Sequence, residues 1–158
     1  MAVVTRDLPV PPEQAFAVLA DGWLYGLWVV GASHIRDVED EWPAVGTSIH
    51  HAFGAWPVMV RDRTEVLESD PPNRLVLQAR AWPAGQARIE IDIEPVRGDA
   101  CRIHLTEYPV TGIGAATHNP VFDALIARRN VESLARFAAL AERRGAATPS
   151  DMKSPPRR

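Results

Sequence analysis

An imidazole and a carboxylate at matching depths on two adjoining strands make an acid–base pair, and this sequence offers one. In residues 46–53, His51 shares a strand face with Ile49 and Phe53. In residues 58–68, Asp62 shares a face with Val58, Val60, Thr64 and Val66. A hairpin turning near Trp56-Pro57 pairs Phe53 with Val60 and His51 with Asp62. Cross-strand Cβ atoms lie ~5 Å apart, within reach of a hydrogen bond. Such a pair, once buried, fixes a tautomer, favours imidazolium and suits general acid–base work. A single-residue bulge or register slip would instead send one side chain to solvent.

Two further polar residues sit where the apolar pattern turns inward. Glu107 continues the series Cys101, Ile103, Leu105, and a turn over 96–100 sets it opposite Ile89. An apolar setting raises a carboxyl's pKa and makes it a proton donor or base. The competing arrangement, favoured because unpaired acids are seldom buried, ends the strand near Pro109 and leaves Glu107 at a wet rim. Asn130, with Ser133 nearby, is centred on the apolar side of the last helical segment. Its amide needs a ligand group, a water, or a side chain such as Thr64. Trp28, with Tyr25 and Leu27, suits the wall of a cavity mouth, although ordinary core packing accounts for it as well. Trp82, beside Arg80, is better read as shielding a turn.

Metal and phosphate chemistry are not expected. His50 and His51 are adjacent and so point to opposite faces of a strand, while His34, His104 and His118 lie on separate segments. Gly112-Ile-Gly114 follows a strand but lacks the third glycine and βαβ setting of a dinucleotide loop. No cofactor is implied. The 158 residues carry a net charge of −3, which argues against a nucleic-acid partner. Hydrophobic residues make up 46% and charged residues 23%, enough for one globular core. Cys101 is the lone cysteine, so no intrachain disulfide forms. No apolar run nears the roughly 20 residues that span a bilayer, and no signal peptide is evident. A soluble cytoplasmic protein is the expectation, monomer or homodimer.

The elements that must position these residues are legible in outline. Residues 1–8 read as a strand, and Pro12 opens a first helix carrying Ala15, Phe16, Val18 and Leu19 and ending at Gly22. A short second helix is predicted over Trp23–Val30. Period-two patterning then runs to about Tyr108, with strands over Ser33–Glu39, Gly46–Phe53, Val58–Glu68, Arg74–Trp82, Ala87–Pro95 and Ala100–Tyr108. Short turns, such as Asp70-Pro-Pro-Asn73 and Arg97-Gly-Asp99, make this an antiparallel meander. From Asn119-Pro120 to about Arg144 a helix places Phe122, Ile126, Leu134, Phe137, Ala138, Leu140 and Ala141 on one side. Arg128, Arg129, Glu132, Arg136 and Arg143 fall opposite. Residues 145–158 are a polar tail that is expected to be disordered.

Strand, two short helices, meander and long terminal helix together resemble the helix-grip fold of the START-like (SRPBCC) superfamily, and within it the polyketide cyclase/dehydrase and lipid-transport family. The markers are Pro11-Pro-Glu-Gln-Ala-Phe16 entering the first helix, Trp28 after the second, Val45-Gly46 opening a strand, and Glu68-Ser-Asp-Pro-Pro-Asn-Arg-Leu75 at a strand-to-strand turn. The resemblance covers residues 1–144. It implies an α+β domain: a curved antiparallel sheet of about seven strands gripping the C-terminal helix. It also implies a cavity between sheet and helix for a hydrophobic small molecule, held by a carrier or sensor or turned over by a cyclase or dehydratase. Trp28, Phe53, Thr64, Ile91, Leu105, Phe122 and Asn130 are the expected lining, with His51, Asp62 and Glu107 as acid–base groups.

Overall fold

In the computed structural model the structure describes residues 1–55, 58–81, 85–112 and 120–146, with backbone alone at 53–55, 58, 59, 81, 145 and 146. Strand β1 (Ala2–Leu8) leads into α1 (Pro12–Leu19), a 3-10 turn (Gly22–Leu24) and the single turn α2 (Tyr25–Trp28). The meander follows: β2 (Ala32–Val38), β3 (Ser48–Ala55), β4 (Val58–Asp70), β5 (Arg74–Ala81), β6 (Gly85–Val96) and β7 (Ala100–Thr111). Helix α3 (Pro120–Ala146) is the last described element. The second helix is thus shorter than the aromatic run over 23–30 suggests, because Gly26 sits within it and the first three residues tighten to 3-10 geometry.

All seven strands join one antiparallel sheet in the order β1-β7-β6-β5-β4-β3-β2. The meander supplies six neighbours in sequence order, and β1 closes onto the far side of β7, pairing Ala2 with Glu107 and Leu8 with Cys101. Register shifts in the β2–β3, β4–β5 and β6–β7 pairs bend the strands, as bulges do. The sheet is curved accordingly, in a helix-grip arrangement.

Strand β7 outruns the expected stop at Pro109. Pairing with β1 ends at Glu107, so beyond it β7 has one edge free of β1, the setting in which proline is tolerated. At the start of β6, Gly85 has φ +119°, and a Cβ there would lie 2.0 Å from the Thr111 carbonyl oxygen, so only glycine lets the two backbones meet.

Ile89, Ile91 and Ile93 of β6 and Cys101, Ile103 and Leu105 of β7 are all buried, as their alternation requires. They meet Leu134, Phe137, Ala138 and Ala141 of α3 and Phe16 and Leu19 of α1 in one core. Helix α3 packs on β1, α1 and α2. The Gln14 amide donates to the Ala141 carbonyl (2.7 Å), and the Val30 N–H donates to Ser133 Oγ (3.1 Å), which pin both sides of the helix. No described helix is long and apolar enough to cross a membrane.

Candidate functional site

The hairpin β3–β4 has the expected register: Phe53 opposite Val60 and His51 opposite Asp62. Both polar side chains are buried on the inner face. The hydrogen bonds differ from the expectation. His51 Nε2 lies 2.9 Å from Thr64 Oγ1, one inward position along β4, and Asp62 Oδ1 accepts from the Arg63 backbone N–H at 2.7 Å. Diagonal neighbours on a twisted pair come within reach of a ring, so register alone does not decide the partner.

Thr64 is fully buried and also meets the Tyr25 hydroxyl at 3.2 Å. Tyr25 lies over His51, ring centroids 5.4 Å apart, and stands edge-on to Trp28 at 5.6 Å. Burial pushes the Tyr25 hydroxyl up to about 12, partly offset by its bond to Thr64, with Glu107, Arg129 and Asp62 all close enough to act on it. The role of Tyr25 as the first link to Thr64 and His51 was not visible in the sequence. Tyrosine in a mixed aromatic run gives no signal of what its hydroxyl will meet.

Imidazolium at His51 is not favoured. Burial lowers its pKa, with the Ala52 backbone pulling the other way and the Arg36 and His50 charges adding to the fall. Burial likewise raises Asp62, against the Arg63 backbone N–H and the charge of Arg80. His51 Nδ1 has no hydrogen-bond partner; among the described residues the other buried orphan is Arg88 Nε, paired across from Tyr108 on the opposite, convex face.

Glu107 is buried opposite Ile89 and is not at a wet rim. It escapes the cost of an isolated charge because α3 delivers two partners. Asn130 Nδ2 donates to Glu107 Oε2 at 2.9 Å, and Arg129 Nη2 donates to the same oxygen. Arg129 also donates from Nε and Nη2 to Asn130 Oδ1, at 3.3 and 3.1 Å. Arg129 therefore turns inward, although helical periodicity assigns it to the wet side. A long side chain on the flank of a helix can reach either way, and a buried carboxylate decides which.

Between these groups the inner face is lined by small residues. Thr64 pairs with Ala79, Ala79 with Ala87, and Ala87 with Pro109. Ala79 and Ala87 stay partly accessible. Ile91 and Leu105, in contrast, face each other in the solid core, and Trp28 packs edge-on against Phe137 with centroids 5.4 Å apart. Phe122, in the first turns of α3, is 43% exposed and Leu125 62%. The Phe53 side chain, Trp56, Trp82, Gly114 and His118 lie outside the described residues.

Among the described residues no cluster of three metal-ligating side chains occurs. His50 faces Glu39 (3.6 Å), and His104 sits between Thr5 and Glu94. Two surface clefts, about 490 and 540 Å³, lie beside Trp23 and Arg144 and beside Pro11 and Glu142. Neither includes any of the buried polar residues above, so size alone does not mark the chemistry here.

The sequence matches the family described as polyketide cyclase/dehydrase and lipid transport over residues 2–142. No curated protein matches it. Among solved structures it is similar to a protein of Chromobacterium violaceum (22% identity, TM-score 0.59, 87% of this chain and 94% of that one). A protein of Thermus thermophilus is also similar (18% identity, TM-score 0.64, 93% and 99%). So is DynU16 of the dynemicin biosynthetic locus (15% identity, TM-score 0.67, 89% of this chain but 46% of that one). At such identities the likeness is one of fold. With nearly its whole length matched, the chain belongs to the polyketide cyclase/dehydrase and lipid-transport family.

Proposed function

We propose that the chain binds a hydrophobic small molecule of lipid, polyketide-like or aromatic type between the sheet and the N-terminal half of α3, as a carrier or sensor. One observation carries this reading. His51, Asp62, Thr64 and Glu107 on the inner face of the sheet, with Tyr25 of α2 and Asn130 of α3, are all buried, and the sheet face carries two partly accessible alanines, Ala79 and Ala87. A few convergent polar groups in an apolar concavity are the usual make-up of a ligand pocket. Membership of the family supports the same reading.

Saturable uptake of the neutral dye Nile red, at one per chain and with the emission of an apolar setting, is the expected result. Native mass spectrometry of freshly purified protein would show the co-purified compound. Protein that takes up no dye and carries no compound would end the proposal.

A second reading, an acid–base enzyme of the cyclase or dehydratase kind, has its own observation. His51 and Asp62 stand opposite each other on β3 and β4, both buried, and burial displaces each from its ordinary range, lowering His51 and raising Asp62, as is common for acid–base residues. Incubation with the co-purified compound separates the two: a carrier returns it unchanged, a dehydratase returns it lighter by one water, and a cyclase changes its retention without changing its mass.

A further inference from the structure

We infer that the Tyr25–Thr64–His51 relay holds His51 as its Nδ1–H tautomer, making it a buried hydrogen-bond donor for the carbonyl oxygen of an uncharged ligand. The inference rests on the pocket reading above and adds the chemistry of the bound molecule.

Proton counting carries the first half. Two contacts, Tyr25 Oη to Thr64 Oγ1 at 3.2 Å and Thr64 Oγ1 to His51 Nε2 at 2.9 Å, must share the protons of two hydroxyls and one neutral ring. If Tyr25 donates to Thr64 and Thr64 donates to Nε2, both hydroxyl protons are used and one orphan remains, the Nδ1–H. If Nε2–H donates to Thr64 and Thr64 to Tyr25, the phenol proton and the Nδ1 lone pair are both stranded. If Tyr25 and Nε2–H both donate to Thr64, the Thr64 proton and the Nδ1 lone pair are stranded. Each stranded polar group in a buried site is costly, so the arrangement with one orphan prevails. Thr64 is then a positioning residue, acting on the ligand through His51.

The second half follows from the charges that face this interior. The Ala52 backbone is near enough to act on the ring but gives Nδ1 no hydrogen bond, so the orphan donor needs an acceptor. A carboxylate ligand would supply it but would lie beside Asp62, directly across the strands from His51, with Glu107 on the same face. Arg129 is already bound to Glu107 and Asn130. Arg36 and Arg80 act on His51 and Asp62 from exposed positions, where water screens them. A ketone, quinone or lactone oxygen satisfies Nδ1–H without adding a third carboxylate.

The test has two arms on the full chain. Long-range ¹H–¹⁵N correlation spectra near neutral pH report which ring nitrogen carries the proton, with His51 assigned by its loss in His51→Gln. The expected result is a protonated Nδ1 and a bare Nε2. Thr64→Val should lose this fixed tautomer, and Thr64→Ser, which keeps the hydroxyl, should retain it. A protonated Nε2 in the native chain, or an unchanged signature in a folded Thr64→Val, overturns the relay whatever binds. If Thr64→Val does not fold, the native spectrum and Thr64→Ser decide.

The ligand arm compares three probes of one shape: 2-acetylnaphthalene, 2-isopropylnaphthalene and 2-naphthoate. The ketone should bind about tenfold more tightly than either of the others, the effect of satisfying one buried donor. Equal affinity for ketone and hydrocarbon, or tightest binding of the carboxylate, overturns the assignment of ligand class. If none of the three displaces Nile red while the dye itself binds, the ligand class also fails. If Nile red does not bind either, the pocket reading fails, and the spectra still judge the relay by themselves.

Discussion

The interior between sheet and α3 has two ends built on opposite rules. Toward the C-terminus of the helix, Leu134, Phe137, Ala138 and Ala141 lie flush on Ile91, Ile103, Leu105 and Cys101, all buried and apolar apart from one thiol. Toward its N-terminus the same helix offers Asn130 and Arg129 to Glu107, above a sheet face that carries Thr64, His51 and Asp62 beside alanines. The first end removes apolar area from water and needs no hydrogen bonds. The second buries polar groups and leaves one unpaired, which contributes nothing to folding. A domain that tolerates such an end beside a well-packed one separates the work of holding shape from the work of recognition.

The largest expected effect is at the packed end. Phe137 is fully buried and meets Trp28 edge-on. Phe137→Ala should cost about 3–5 kcal/mol in urea unfolding, through lost transfer energy and the cavity left behind. If the two ends are independent, the variant's His51 tautomer is unchanged under native conditions; a shifted tautomer would show that they are one unit. Next comes Arg129→Ala. It leaves Glu107 buried with Asn130 as its remaining polar partner from α3, and a cost of about 2–3 kcal/mol is expected, less than for a fully buried pair because Arg129 is partly exposed. Arg129→Ala with Glu107→Gln should recover much of that loss, which a double-mutant cycle would measure. Thr64→Val is milder still. It keeps the shape but strands Tyr25 Oη and His51 Nε2, so about 1–2 kcal/mol is expected.

The packed end was readable in the sequence and the polar end only in part, for a physical reason. Alternation in Ile89, Ile91, Ile93 and in Cys101, Ile103, Leu105 states which face is dry, and the helix answers with Leu134, Phe137 and Ala141. Burial is a property of the pattern. The β3–β4 register followed from where the turn had to fall, and it placed His51 opposite Asp62 correctly. Hydrogen bonds belong to particular atoms, and a displacement of one diagonal position moved the His51 partner from Asp62 to Thr64. Glu107 continues the inward series, yet the favoured reading leaves it at a wet rim, because what holds it buried is Arg129, whose long side chain obeys no periodicity. Phe122 shows the reverse case: it lies on the apolar side by spacing yet is 43% exposed in the first turns of α3, beside Leu125, which is 62% exposed.

The smallest effect, and the most specific to the polar end, is the pH dependence of stability. Burial holds the folded His51 pKa below the unfolded value near 6.5. Above that unfolded value both states are neutral and nothing is lost. As pH falls below it, the unfolded chain takes up a proton that the folded chain refuses, so stability declines until pH passes the folded pKa. Asp62 works in the opposite sense. Its folded pKa is raised, so the folded chain binds its proton first, and it adds stability as pH falls through that raised value toward 3.8. Where the two windows overlap the native curve is flattened, and the difference between native protein and His51→Gln isolates the imidazole's part. That difference should rise with pH on the acid side of 6.5, with a slope no greater than that of one proton, and level off above it. A difference curve that is flat on the acid side of 6.5 and falls as pH rises above it would mean that His51 is held as imidazolium, and the contrast between a silent packed end and a titrating polar end would have its sign reversed.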